Sequence, residues 1–296
     1  MEFRHLVSFV MLADELHFGR AAKRLHVAQP SLTAQMQKLE RFLGVQLLVR
    51  NAHEVKLTAA GMELKQQAET ILAQVDRAVR LTKDAADGKS GSVAVGYNYL
   101  AGRKVLPDLL SRMNADLPDV SVSLWERRTG PQIAAVRAGS LDLAMTYGYP
   151  QAPEMQYRRL VSDIPIVGVI GHRHPWAARD EVSFAELAGQ QCVLFARDQS
   201  PQMYDAIFAA ARVHKIVLDV ARTADDPGGT AQLVATLPMV GFASGPRADS
   251  YTAHGPSDPI AVRLVDPTPT LDLYAVWRKD NGNPALAALV DRLPEV

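Results

Sequence analysis

From Ala59 to about Ala86 the chain has no proline, and its only glycine, Gly61, falls in the first turn, so nothing there interrupts a helix. Leu64, Ala68, Ile71, Val75 and Ala78 recur at alternating spacings of four and three, which places them on one apolar stripe. A helix of about 28 residues reaches roughly 40 Å at 1.5 Å per residue. The small segment before it is too short to cover that length, so the stripe predicts a seam with a second subunit, those five residues being the dimerisation contacts. Such a rod also divides the chain into a small N-terminal head and a much larger remainder.

Within the head, Phe3, Leu6, Val7, Val10 and Leu12 sit at helical spacing in residues 2–15, and residues 18–25 make a second short helix. A third begins at Ser31 behind Pro30, with Leu32, Met36, Leu39 and Leu43 on its apolar face and Gly44 as its stop. Val45 to Thr58 reads as a hairpin around an Asn51-Ala52-His53-Glu54 turn. Two short helices joined by a tight turn, the second starting with small polar residues, meet the needs of major-groove reading, because the groove admits one helix and its first turns reach base edges. Ala21 and Ala22 let the pair approach closely, while Gln29, Ser31, Thr33, Gln35 and Lys38 form the outward set. Glutamine pairs with adenine, hydroxyls serve bases or phosphates, and lysine suits phosphates.

The whole chain is neutral, with 32 basic and 32 acidic side chains, so total charge neither favours nor opposes nucleic acid. Residues 1–90 hold 13 basic against 10 acidic groups, a modest excess on the head's side. Asp87-Gly-Lys-Ser-Gly-Ser92 breaks the long helix and predicts a hinge over 88–92. Beyond it, strands at 93–96, 120–125 and 141–146 alternate with helices at 104–114 and 131–138. A second series starts near 164–170, with helices at 184–188, 201–212 and 228–235, and a last strand (271–277) and helix (284–293) follow. That alternation predicts α/β units with parallel sheets. No apolar run approaches the roughly 20 residues of a membrane helix, and Met1 opens onto an amphipathic segment, so a cytoplasmic protein with no membrane contact is expected. The single cysteine, Cys192, falls in an apolar run and reads as a buried core thiol.

Residues 21–40, Ala-Ala-Lys-Arg-Leu-His-Val-Ala-Gln-Pro-Ser-Leu-Thr-Ala-Gln-Met-Gln-Lys-Leu-Glu, resemble the signature of the LysR-type transcriptional regulators. Leu-Gly-Val-Gln-Leu-Leu-Val-Arg (43–50) and Leu-Thr-Ala-Ala-Gly (57–61) match in the same order, and weaker likeness continues to the C-terminus. The resemblance implies a winged helix-turn-helix DNA-binding domain over 1–58 and a linker and dimerisation helix over 59–87. A two-lobed α/β effector domain resembling periplasmic binding proteins follows, with 93–161 and 265–296 as one lobe and 162–264 as the other. It implies DNA contacts from Pro30 and from Arg50, His53 and Lys56 on the wing, beside the outward set. Ala34 stands where relatives often carry arginine or serine, and the wing is sparsely basic around Glu54, which predicts weaker non-specific binding. The implied partners are an interrupted palindrome of double-stranded DNA, a second copy in a dimer or dimer of dimers, RNA polymerase, and a small-molecule effector.

Thr129-Gly-Pro-Gln132 has the form of a capping box, and Ser200-Pro-Gln-Met starts another helix. Two helix N-termini facing one cleft suit a carboxylate. Asn98-Tyr99-Leu100, directly after the first strand of the remainder, lies where open α/β sheets bind ligands. The resemblance places effector contacts on Tyr99, Leu100, Thr129, Pro201, Gln202 and Met203, with Tyr147 nearby, and a small, partly aromatic organic acid is the expected ligand. His172 and His174 lack further ligands at metal-site spacing, and Asp225-Asp226-Pro227 reads as the start of a helix, so neither metal nor cofactor nor catalytic residue is expected. The competing class is a solute-binding or enzymatic α/β protein whose N-terminal module only dimerises; it predicts ligand binding or turnover without specific DNA retention.

Overall fold

The computed structural model describes residues 1–50, 55–86, 91–251 and 258–294. The chain divides into two compact units, Met1–Lys83 with Ala138–Ser140, and Asp84–Arg137 with Leu141–Val296.

The first unit holds α1 (Phe3–Glu15), α2 (Phe18–Arg24), α3 (Gln29–Leu43), β1 (Leu48–Arg50), β2 (Val55–Leu57) and α4 (Ala59–Ala86). Phe9, Leu12, Leu32, Met36 and Leu39 are fully buried at its centre, and the buried Ala21 and Ala22 let α2 pack closely on them. α3 begins two residues earlier than its sequence predicts, because Pro30 occupies the first turn itself, and it ends on Gly44 at φ 70°. β1 and β2 pair antiparallel with Val49 opposite Lys56, around the Asn51–Glu54 turn that lies outside the described residues. Thr58 accepts from the Gly61 N–H at 2.9 Å at the start of α4. A Cβ at residue 61 would lie 2.1 Å from the Leu47 carbonyl oxygen, so only glycine lets α4 start this close to the hairpin.

The apolar stripe of α4 serves two purposes. Leu64 packs on the head's core and Ala68 is fully buried, whereas Ile71, Val75 and Ala78 are exposed, joined by Val79. The N-terminal part of the expected seam is therefore covered within the chain, and its bare part starts at Ile71.

The second unit runs β3 (Gly91–Tyr97), α5 (Tyr99–Lys104), α6 (Leu106–Asp116), β4 (Val120–Glu126), α7 (Thr129–Arg137), β5 (Leu143–Tyr147), β6 (Met155–Ile170), β7 (Glu181–Ser183), β8 (Gln191–Leu194), α8 (Pro201–Val213), β9 (Asp219–Thr223), α9 (Pro227–Thr236), β10 (Gly241–Ser244), α10 (Gly245–Ala248), β11 (Ile260–Val265), β12 (Thr270–Arg278) and α11 (Pro284–Asp291). Residues 88–90 of the expected hinge lie outside the described residues, and Gly91 and Ser92 open β3 instead. The main sheet has the order β4-β3-β5-β12-β6-β11-β7, with β10 also paired to β6. β3 pairs parallel with β4 and β5, but β12 runs antiparallel to both β5 and β6. The sheet is thus mixed where parallel pairing was predicted: β5 and β6 are joined by a short loop, and the strand that lies between them arrives from the C-terminal end. Every residue of β5 is buried, as befits a strand covered on both faces. Among the described residues no helix is long and apolar enough to cross a membrane.

Cys192 is fully buried in β8, and burial pushes its thiol up to about 12, which leaves it unreactive. His174 is also buried; its Nδ1 accepts from the Trp176 N–H at 3.2 Å, and burial holds its imidazole below the ordinary value. At this site the folded protein therefore binds fewer protons than the unfolded chain. The stability that the neutral His174 contributes is fully present above the unfolded value of about 6.5 and declines as pH falls through it. The melting temperature is expected to be lower at about pH 5.5 than at about pH 7.5, and the drop to shrink in His174→Gln. An equal drop in that variant would show that His174 plays no part.

Candidate functional site

On α3, Ala28 at the N-cap offers no side-chain acceptor and the first turn carries no acid, so the positive end of the helix dipole stays uncompensated. Gln29, Pro30 and Ser31 are exposed there. The rest of the outward set is engaged. Thr33 donates to the Gln29 carbonyl at 3.1 Å. Gln35 accepts from the Ser8 hydroxyl at 2.6 Å, because residue 35 borders the buried row Leu32, Met36 and Leu39, and Ser8 beneath it needs an acceptor. Lys38 binds Glu2 at 2.9 Å, and that hydrogen bond is the main reason the Glu2 carboxyl sits below its usual range. Lys56 is exposed on β2; the side chain of Arg50 and all of His53 lie outside the described residues.

In the second unit one cavity of about 480 Å³ is walled by the first turns of five helices. Tyr99 of α5, Thr129 and Pro131 of α7, Ser200 before α8, Pro227 and Thr230 of α9, and Ser244 before α10 all line it. Helix starts turn positive dipole ends toward the cavity, while the charged side chains that line it balance, Arg127, Arg128 and Arg247 against Glu126, Asp225 and Asp226. Of the expected effector contacts, Asn98, Tyr99, Thr129, Tyr147 and Met203 line this cavity. Leu100 does not, since it is buried in the core between α5 and the sheet, and Pro201 and Gln202 do not either. Gln202 packs on Gly148, where a Cβ would come within 2.0 Å of its Cγ.

The expected capping box does not form. Thr129 is itself the first residue of α7, and its hydroxyl accepts from the Tyr147 N–H at 3.2 Å. Gln132, fully buried, accepts from the Met145 N–H at 3.0 Å and donates to the Arg127 carbonyl at 2.8 Å. Both side chains tether α7 to β5, where buried strand donors need acceptors. Ser200 does occupy the N-cap of α8, without a side-chain bond. Asp226 caps α9 through the Gly229 N–H at 2.7 Å, as the Asp-Asp-Pro sequence predicts, and also reaches the cavity with Asp225. Burial pushes the Tyr147 phenol up to about 12, so it stays protonated and donates to Ser244 at 2.8 Å.

Sequence reasoning missed the charged wall: Glu126, Arg127, Arg128 and Arg247. The strand-end rule that pointed to Asn98 applies equally to residues 126–128 at the end of β4, and would have found three of them. For Arg247, on a helix of four residues, there is no sequence signal. The Arg128 guanidinium lies 4.7 Å over the Phe195 ring and that of Arg247 lies 4.7 Å over Tyr99. Burial lowers Arg128 from its ordinary value, with Asp225 the main opposing charge.

Residues 3–62 match the family described as bacterial regulatory helix-turn-helix protein, lysR family, and residues 86–296 match the LysR substrate binding domain. The chain is 32% identical over 303 residues to the HTH-type transcriptional regulator IlvR of Caulobacter vibrioides, covering 100% of this chain and 98% of that protein. It is 36% identical over 213 residues to the uncharacterized regulator YnfL of Escherichia coli, covering 72% and 71%. The solved structure of full-length CbnR complexed with its target DNA superposes with a TM-score of 0.61 at 27% identity, covering 99% of both chains. With its helix-turn-helix head and cavity-bearing effector domain, the chain belongs to the LysR family of transcriptional regulators.

Proposed function

We propose that α3 is the helix this regulator lays in the DNA major groove, with Gln29, Pro30, Ser31, Thr33, Gln35 and Lys38 toward the duplex and Arg50, His53 and Lys56 on the wing toward phosphates. The observation that carries this reading is the exposed, uncapped first turn of α3, whose dipole end suits a phosphate and whose Gln29 and Ser31 can meet base edges. CbnR, similar over 99% of this chain, is solved with its target DNA. Gln29 and Ser31 rank first, because Gln35 would have to release Ser8, and Lys38 release Glu2, before touching DNA.

In the same reading the head spans 1–58, and two copies join along the α4 stripe within 59–87, chiefly through Ile71, Val75 and Ala78. The dimers pair again on an interrupted palindrome and meet RNA polymerase. The cavity lies between lobes 93–161 with 265–296 and 162–264, and takes a small organic acid. The protein acts in the cytoplasm by binding rather than by turnover. An effector shifts the DNA-bound assembly only to the extent that it binds one arrangement better than the other.

A gel shift with the intergenic DNA beside the chain's own gene tests the core of this. Wild type is expected to retain that DNA over random sequence across a salt series. Gln29→Ala and Ser31→Ala should each lose about 1–2 kcal/mol of the preference. Retention no better than random DNA would sink the reading and favour a ligand-binding protein with a dimerising head.

A further inference from the structure

On the reading of α3 as the helix that meets DNA, on which this rests, we propose that Glu2 limits the regulator's affinity for all DNA alike, its carboxylate occupying Lys38 in place of a phosphate of the duplex. The carboxylate bridges two cations, one oxygen to each: Oε1 lies 2.9 Å from Lys38 Nζ and Oε2 lies 2.7 Å from Arg4 Nη2. Cations on separate oxygens of one anion are also how basic side chains hold a backbone phosphate. Residue 2 has a fixed place. It is the N-cap of α1, its N–H donates to Nδ1 of the buried His5 at 3.1 Å, and a negative charge suits the positive start of a helix. The Ser8–Gln35 hydrogen bond at 2.6 Å and the buried Phe9, Leu32 and Met36 hold α1 on α3 independently of Glu2. Neutralising Glu2 therefore frees Lys38 while α3 stays in place.

Phosphates are the same on every sequence, so a cation that meets one adds the same increment to operator and random DNA, and releases a condensed counterion in doing so. With Glu2 on Lys38 that increment is lost in either of two ways. Lys38 stays with Glu2 and a phosphate goes without its cation, or Lys38 turns to the phosphate and leaves a carboxylate beside the duplex. Gln29 and Ser31, exposed in the first turn of α3, are untouched by both, so base reading keeps its full weight. An occupancy held below saturation is what an effector needs, because a head bound at all times has no room to respond to a shift in assembly.

The test is fluorescence anisotropy of the full-length protein on two duplexes, the intergenic DNA beside the chain's own gene and a random sequence, across a salt series. Glu2→Gln is expected to bind both about threefold or more tighter, with their ratio unchanged, and to steepen the logarithmic salt slope by about 0.9 per head. Most of that gain should vanish on a Lys38→Met background. Glu181→Gln, which removes the exposed carboxylate paired with Arg263 at 2.6 Å in the second unit, alters net charge equally and should leave the slope as it is. Melting curves check that each variant is folded. An equal gain with and without Lys38, or in Glu181→Gln, would trace the effect to charge removal by itself and overturn the proposal. A changed ratio would also overturn it, by making Glu2 a reader of bases. If wild type favours the intergenic DNA and Glu2→Gln changes nothing, the role of Glu2 falls and the reading of α3 stands. Wild type with no such preference would overturn both.

Discussion

Replacing Gly130 with alanine is expected to melt the effector unit early and to abolish binding of any acid that the wild-type cavity accepts. Gly130 sits in the first turn of α7, between Thr129 and Pro131 of the cavity wall, and an added Cβ would lie 1.7 Å from the Asp198 carbonyl oxygen. Ordinary contact begins near about 3.5 Å, and the obstacle is backbone rather than a movable side chain. The α7 start and the turn at Arg197–Gln199 must therefore separate. That separation would pull Arg128 off Phe195 and open the wall that holds Thr129 to Tyr147. Overpacking of this kind costs about 3 kcal/mol or more where nothing can yield. Gly282→Ala is the control: its Cβ would meet nothing within 4 Å, so its effect should stay within about 0.5 kcal/mol. A Gly130→Ala protein that melts with wild type would show that this close approach is not maintained in solution.

Exchanging Ile71 and Val75 together for lysine is expected to halve the particle mass in light scattering at micromolar concentration and to remove specific DNA retention. The two side chains are 42% and 38% exposed on one face of α4, so within a single chain their replacement should be nearly neutral. In a symmetric seam the double change strips four apolar side chains and adds four like charges. At about 1.5 kcal/mol each, the lost burial alone comes to roughly 6 kcal/mol, about four powers of ten in the dissociation constant. Unchanged mass would mean that copies of this protein meet elsewhere.

The head was legible because its signals are local. Periodicity located α1, α2 and α4 closely, and Gly44 ends α3 where its left-handed conformation is needed. The second unit was less so. A single helix over 104–114 was expected, but the chain makes α5 and α6 with a break at Val105. Asn98 caps the first through the Ala101 N–H, and Pro107 opens the second. Both are recognisable start signals that the apolar pattern alone conceals. β6 runs unbroken for 16 residues through Asp163, at φ 55°, and Pro165. Proline normally argues against a central strand, yet Pro165 sits where β6 passes from pairing with β12 to pairing with β10 and β11, so its missing donor falls at the handover. Of the cavity, the sequence marked residues at strand ends and helix starts. Arg247 depends on a contact across the fold to Tyr99, 148 positions away in the chain, and no local pattern encodes that.

The position of β12 also has a consequence for how the protein is made. The head needs only residues up to α4 to close its core, so it can finish folding while most of the chain is still inside or waiting to leave the ribosome. The second unit has to wait, because β12, the strand that joins β5 to β6, emerges after every other described strand. Until Arg278 is free, both strands present unpaired edges, the kind of surface on which nascent chains stick to one another. Synthesis thus delivers the residues of the DNA-binding head ahead of the strand that completes the effector unit's sheet.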